Sequence, residues 1–186
     1  MSPMDRLDRI DALLQIGQLP SRYAFACDSR DLDSLVMLYV DDVTRPDVDG
    51  VGRTALKGHF ERVLGNYYRT MHQIVAHQID LIDATTGSGM VYCRAEHERG
   101  EEWVDMAILY DDEYERRDGV WYFARRSLHM LHVTSRSDRP RAPFVPGATG
   151  DRVPLPGWWP TWSPFWAQVP QSEIALLTDH PDHRTG

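Results

Sequence analysis

Apolar residues in the first part of the chain recur at helical spacing. Leu7, Ile10, Leu13, Leu14 and Gly17 form one stripe, with acids and arginines opposite. Pro20 removes a backbone donor, which predicts a kink or restart before helical character resumes over Ser21–Cys27. Asp28-Ser29-Arg30-Asp31 reads as a turn, with Asp31 the N-cap of a short helix, Leu32–Val40, whose apolar face is Leu32, Leu35, Val36 and Tyr39. A short strand is expected around Val43. A third helix follows from about Thr54 to Tyr67, burying Leu56, Phe60, Val63 and Leu64.

Beyond that point the pattern alternates. Strands are predicted over His72–Ile82, Gly89–Glu98, Glu102–Arg116 and Val120–Val133, broken at Thr85–Gly89, Arg99-Gly100 and Arg117-Asp118-Gly119. The Asp-Gly pair is a hairpin signal, so the last two strands must be antiparallel neighbours. Helices followed by a meander predict an α+β domain over residues 1–135, with helices on one face of a curved sheet. After Val133 the composition turns to Pro, Gly and Arg, and then to Gly157-Trp158-Trp159-Pro160-Thr161-Trp162-Ser163-Pro164-Phe165-Trp166. Residues 136–186 are read as an extension too proline-interrupted to form a core helix. So much aromatic area is not left in water without cause, so the segment either lids the chain's own pocket or contacts a neighbouring subunit.

Composition narrows the function. A net charge of −8 counts against a nucleic-acid partner, which requires a basic face. No apolar run reaches the roughly 18 residues of a membrane helix, and the charged N-terminus lacks a signal-peptide core. Cys27 and Cys93 stand outside any CxxC pair and read as buried thiols of a reducing cytoplasm. His72 and His77 fall on opposite faces of an unbroken strand and no HExxH-type helix occurs, so no metal site is expected.

Four residues are candidates for chemistry. Asp28 lies near a helix C-terminus between apolar Cys27 and the turn; the alternative is an Asx-turn residue. His72 opens a strand with apolar residues on both faces. It is either a hydrogen-bonded core histidine or, given a buried carboxylate partner, a general base. Arg126 shares its face with Leu128 and Met130, so its charge requires a counter-ion: Asp28 first, Glu96 or Asp105 as alternatives. His97, on the face of Val91, Cys93 and Ala95, either enters the interior or merely ends its strand. His129 and His132 fall on opposite faces of the last strand by the same count.

These residues sit in familiar surroundings. Arg22 to Leu35 (RYAFACDSRDLDSL), then Tyr39 and Asp41-Asp42, resemble the opening of SnoaL-like proteins, within the ketosteroid-isomerase and nuclear-transport-factor superfamily. Asp112 to Trp121 (DEYERRDGVW), followed by Phe123 and Arg126, is similar to that superfamily's closing hairpin, especially in hexachlorocyclohexane dehydrochlorinases. Thr70-Met71-His72 resembles the strand start that carries the catalytic histidine there and in scytalone dehydratases. The resemblance covers about residues 5–135 and implies a cone-shaped half-barrel around a small-molecule pocket. It implies Asp28 and His72 as a proton-transfer dyad, with His97 and Arg126 as further pocket residues. Tyr23, Cys27, Ile108 and Tyr110 occupy substrate-lining positions where those enzymes carry other residues. It further implies a cofactor-independent lyase acting on a small hydrophobic or cyclic substrate, with an isomerase or cyclase, or a non-catalytic binding or structural subunit, as alternatives. A homo-oligomer, preferably a trimer, is the expected assembly.

Overall fold

The computed structural model describes residues 5–100, 102–136 and 159–170. Helix α1, Arg6–Ser29, starts where the Asp5 carboxylate accepts the Leu7 and Asp8 amides at 2.7 and 2.9 Å. It does not restart at Pro20. Proline's φ suits a helix and only one hydrogen bond is lost, while Ile16, Leu19, Tyr23 and Ala24 are buried on either side. The helix ends at Arg30, whose left-handed φ of 63° lets its amide close back on the Ala26 and Cys27 carbonyls.

Asp31 caps α2 through the Ser34 amide as expected, but α2 (Leu32–Met37) is shorter than its apolar pattern. The backbone of residues 38–40 turns instead to the sheet: the Phe123 amide donates to Leu38 O and the Val40 amide to Phe123 O, at 2.9 and 3.0 Å. This pairing replaces the strand expected at Val43. Helix α3 spans Gly52–Leu64, beginning and ending somewhat earlier than its pattern predicts.

Four strands, β1 (Arg69–Leu81), β2 (Thr86–Arg99), β3 (Glu102–Arg117) and β4 (Val120–Arg136), form an antiparallel meander in the order β1-β2-β3-β4. The β3–β4 hairpin turns at Asp118 (φ 50°) and Gly119 (φ 83°), the two positive φ values that an Asp-Gly turn supplies. The sheet is curved and unclosed, and the helices cover its concave side, packing Ile16, Leu35 and Leu56 into one core with Tyr39 and with Phe123 of β4. The result is an α+β cone. Its outer face leaves Met71, Val75, Met90, Tyr92 and Leu131 about half exposed.

Three bulges set which residues face inward. Val75, Ala124 and Leu131 are extra residues in their strands, since pairing jumps from Ile74 to Ala76, Phe123 to Arg125 and Met130 to His132. An extra residue reverses the side-chain alternation beyond it. His72 and His77, expected on opposite faces, therefore both face inward, opposite buried Ala95 and Val91. His129 and His132, also expected to diverge, both lie on the outer face, opposite Leu109 and Ala107.

The described part of the C-terminal extension is a single helical turn, α4 (Trp162–Trp166), with Trp162, Phe165 and Trp166 buried. Pro164 is tolerated because it lies in the first turn, where backbone amides lack helical partners anyway. The segment was expected to be too proline-interrupted for a core helix; its described part forms one five-residue helical turn whose three aromatics are buried. The remainder of residues 136–186, with Gly157, Trp158, His180 and His183, lies outside the described residues apart from Arg136 itself and 159–170.

Candidate active site

The last turn of α1 and the start of β1 meet around Asp28. Its Oδ1 accepts the Thr70 hydroxyl at 2.8 Å and lies 2.7 Å from His72 Nδ1, and its Oδ2 accepts the His72 amide at 2.8 Å. Strand alternation puts Thr70 and His72 on one face, and the helix end brings the carboxylate to them. The carboxylate and imidazole are largely buried, their side chains 11% and 7% exposed. The Nδ1–H form of His72 is the one that this contact selects, which leaves Nε2 as the free basic nitrogen.

The imidazole of His72 stands edge-on to Tyr23 and His97, with ring centroids 6.3 and 5.2 Å away. His97 enters the interior rather than ending its strand. Its ring lies 4.5 Å from that of Tyr67, tilted by 45°, and its Nδ1 has no hydrogen-bond partner among the described residues. Burial, then the positive fields of His72 and Arg30, push its pKa down to about 3, so His97 is neutral at ordinary pH.

Arg126 is also interior, but its counter-ion is none of those expected. Nε and Nη2 donate to the two oxygens of Asp112 at 2.8 and 2.7 Å, and both side chains are essentially fully buried. Asp28 is occupied by Thr70 and His72. Glu96 pairs with Asp105 on the outer face, where Asp105 binds Arg136 at 2.8 Å. The Ala124 bulge brings Arg126 opposite Asp112; regular pairing from the hairpin would have set it opposite Asp111. Burial opposes the charge of Arg126, yet the hydrogen bonds and charge of Asp112 raise its pKa further. The guanidinium lies 4.2, 4.3 and 4.5 Å from the ring centroids of Phe123, Tyr110 and Tyr23. Its Nη1 and the hydroxyl of buried Tyr39 have no hydrogen-bond partner among the described residues.

The same ion pair anchors a second chain. The Tyr114 hydroxyl donates to Asp112 Oδ2 at 3.0 Å and lies 2.9 Å from His77 Nε2. Gly89 makes room for it, since a Cβ there would stand 3.0 Å from the Tyr114 ring and 2.5 Å from Gln78 O. Sequence reasoning missed Asp112, Tyr114 and Thr70. Thr70 was legible from its alternation with His72; Asp112 required the bulge.

The expected lining residues are buried in this interior. Burial raises the pKa values of Tyr23 and Tyr110 and pushes the Cys27 thiol up to about 12, so all three remain protonated. Ile108 is 2% exposed and pairs with Cys93 across the β2–β3 ladder. Among the described residues no group of three or more His, Cys, Asp or Glu side chains is arranged to hold a metal ion. No described helix is long and apolar enough to cross a membrane.

An α+β cone with an imidazole, a carboxylate and a buried arginine in its interior defines a class of small α+β domains. Residues 8–127 match the SnoaL-like domain, well over half of the chain, and the chain belongs to that family. It is 28% identical over 152 residues to hexachlorocyclohexane dehydrochlorinase 1 of Sphingobium indicum, covering 78% of this chain and 97% of that protein. A crystal structure of a type 2 hexachlorocyclohexane dehydrochlorinase superposes with a TM-score of 0.68 at 26% identity, covering 77% of this chain and all of that one. A candidate scytalone dehydratase from Novosphingobium aromaticivorans shares the fold, with a TM-score of 0.60 at 23% identity over 78% of this chain and all of that one.

Proposed function

We propose that this protein is a cofactor-independent lyase that eliminates water or an acid from a small hydrophobic or cyclic molecule, with His72 as general base and Asp28 as its orienting partner. The observation that carries this reading is the 2.7 Å contact of Asp28 Oδ1 with His72 Nδ1, made in a buried setting. Nε2 takes a proton from carbon, the C–H electron pair forms the new double bond, and the group on the adjacent carbon leaves with its bonding pair. The imidazolium so formed is stabilised by the Asp28 carboxylate. The unpaired Nη1–H of Arg126 is suited to receive the departing hydroxide or halide, or an oxyanion, in a place where water is scarce. His97, neutral, serves there as a hydrogen-bonding group and not as an imidazolium acid. Tyr23, Tyr110, Ile108 and Cys27 shape the substrate's surroundings. The dehydrochlorinase relatives favour elimination as the reaction type.

A panel of γ-hexachlorocyclohexane and cyclic hydroxy-ketones, followed by product mass, tests the reading. Loss of one water or one hydrogen chloride marks the lyase, whereas an unchanged mass marks an isomerase or cyclase built on the same base. His72→Ala should lower turnover about 10²–10⁴-fold, and undiminished turnover would refute the assignment. We further propose that the chain works in the cytoplasm as a homo-oligomer, preferably a trimer. The half-exposed apolar residues of the outer sheet face support an assembly. Residues 1–135 would form the catalytic domain, and residues 136–186 an extension that covers it or contacts a neighbour.

A further inference from the structure

Arg30 is the buried cation that the reaction above does not use. It is 2% exposed, on a backbone that only a few non-glycine residues adopt, and it lies two residues beyond Asp28. Its Nη1 donates to Cys27 O at 2.7 Å and to Thr70 Oγ1 at 2.8 Å, and its Nη2 donates to Tyr67 O at 2.7 Å. One guanidinium thus ties the end of α1 to the segment entering β1, the two pieces that carry Asp28 and His72.

The hydrogen-bond polarity at Thr70 follows from chemistry. A guanidinium only donates, so Thr70 Oγ1 accepts from Arg30, and its single proton goes to Asp28 Oδ1 at 2.8 Å. With Oδ1 and Oδ2 each fixed by a donor of β1, the carboxylate is presented to His72 Nδ1 in one orientation. The C-terminal segment encloses the other side of Arg30. The rings of Trp162, Phe165 and Trp166 stand 5.2, 5.6 and 5.8 Å from its Cζ, and the Thr161 hydroxyl donates to Ser29 O at 2.7 Å. The rings of Trp162 and Trp166 also lie 6.0 and 5.5 Å from that of Tyr68, just before β1.

We infer that Arg30 is a positioning residue: clasped by the aromatic turn of α4, it acts through Thr70 to hold Asp28 against His72, so that the C-terminal segment governs the geometry of the dyad. This rests on the proposed role of that dyad. The aromatic turn is thereby part of the site's support, in addition to any covering role. Lysine keeps the charge but cannot reach three acceptors in a planar fork, so Arg30→Lys preserves the function only in part.

Nitrogen-15 NMR of the full-length protein labelled at histidine reads this directly, with the His72 ring signals assigned from His72→Gln. The wild type is expected to show neutral His72 as the Nδ1–H tautomer with a slowly exchanging proton. Arg30→Met should speed that exchange about tenfold, the weight of a lost hydrogen bond to a charged group, and bring in the Nε2–H tautomer. Arg30→Lys should fall between the two. Thr70→Val should match Arg30→Met, and the double variant should add nothing to Thr70→Val, because both act through one hydroxyl. Trp162→Ala should move the same signals in the same direction, and it carries the test with Arg30→Lys if Arg30→Met does not fold. A folded Arg30→Met or Arg30→Lys protein with wild-type ring signals overturns the inference, as does an Arg30→Met effect undiminished in Thr70→Val. Unmoved signals in Trp162→Ala overturn the part assigned to the C-terminal segment. A wild-type spectrum of the Nε2–H tautomer overturns the dyad and this inference together, so the two failures are distinguishable.

Discussion

Removing Asp112 should destabilise this protein more than most single substitutions, because it strands a buried charge. In the native state Arg126 gives two hydrogen bonds to Asp112, at 2.8 and 2.7 Å, with the two side chains 1% and 0% exposed. Asp112→Ala leaves the guanidinium surrounded by Tyr23, Tyr110 and Phe123, without a counter-ion, and also deprives the Tyr114 hydroxyl of its acceptor. Breaking a buried pair in this way costs about 3–5 kcal/mol. For a chain of this size that is a fall in Tm of roughly 6–20 °C. Replacing both partners with apolar residues, as in Asp112→Leu with Arg126→Met, removes both charges and should recover most of the loss. Urea denaturation of wild type, Asp112→Leu, Arg126→Met and the double variant measures the cycle, with Asp112→Ala alongside and the slope against urea confirming that the unfolding reaction is unchanged. The reasoning fails if Asp112→Ala costs under about 1 kcal/mol. It fails equally if the double variant is as unstable as the two single losses added together.

Two further outcomes follow from buried titratable groups. His97 has a folded pKa near 3, below the ordinary histidine value of 6.5, so the unfolded chain binds its proton first as pH falls. Its contribution to stability is complete above about pH 6.5 and is lost as pH drops toward 3, by up to about 1.4 kcal/mol per pH unit. Urea midpoints at pH 7, 6, 5 and 4 should therefore fall more steeply in wild type than in His97→Gln, and parallel slopes would count against a neutral buried imidazole. Burial pushes the Cys27 and Cys93 thiols up to about 12 and about 11, so few thiolates exist at pH 8. A colorimetric disulfide reagent should leave both unmodified in the native protein and label both in denaturant; rapid native labelling would contradict this burial.

Local signals made much of the architecture legible. Helical spacing located α1, α2 and α3, alternation located the four strands to within a few residues, and Asp118-Gly119 marked the hairpin that pairs β3 with β4. Asp28 and His72 were also readable as candidates, each being a polar residue in an apolar stretch. Local pattern alone did not pair them, since their contact joins residues 44 apart in sequence across a helix end and a strand start; the pairing was implied only by the resemblance to SnoaL-like proteins. Pro20 shows the converse limit: a strong local breaker is carried through when buried neighbours on both sides hold the helix.

What the chain determines by itself is the order of its elements, because hydrophobic period and turn chemistry are properties of neighbouring residues. What tertiary structure decides is which side chains meet. Bulges at Val75, Ala124 and Leu131 each reverse the alternation that a regular strand would follow, turning His77 inward and bringing Arg126 to Asp112. The C-terminal aromatic turn, which follows all four strands in the chain, meets Arg30 at the end of α1. A bulge is one residue with no signature in the period of its strand, and a contact between distant segments is specified by the complete fold.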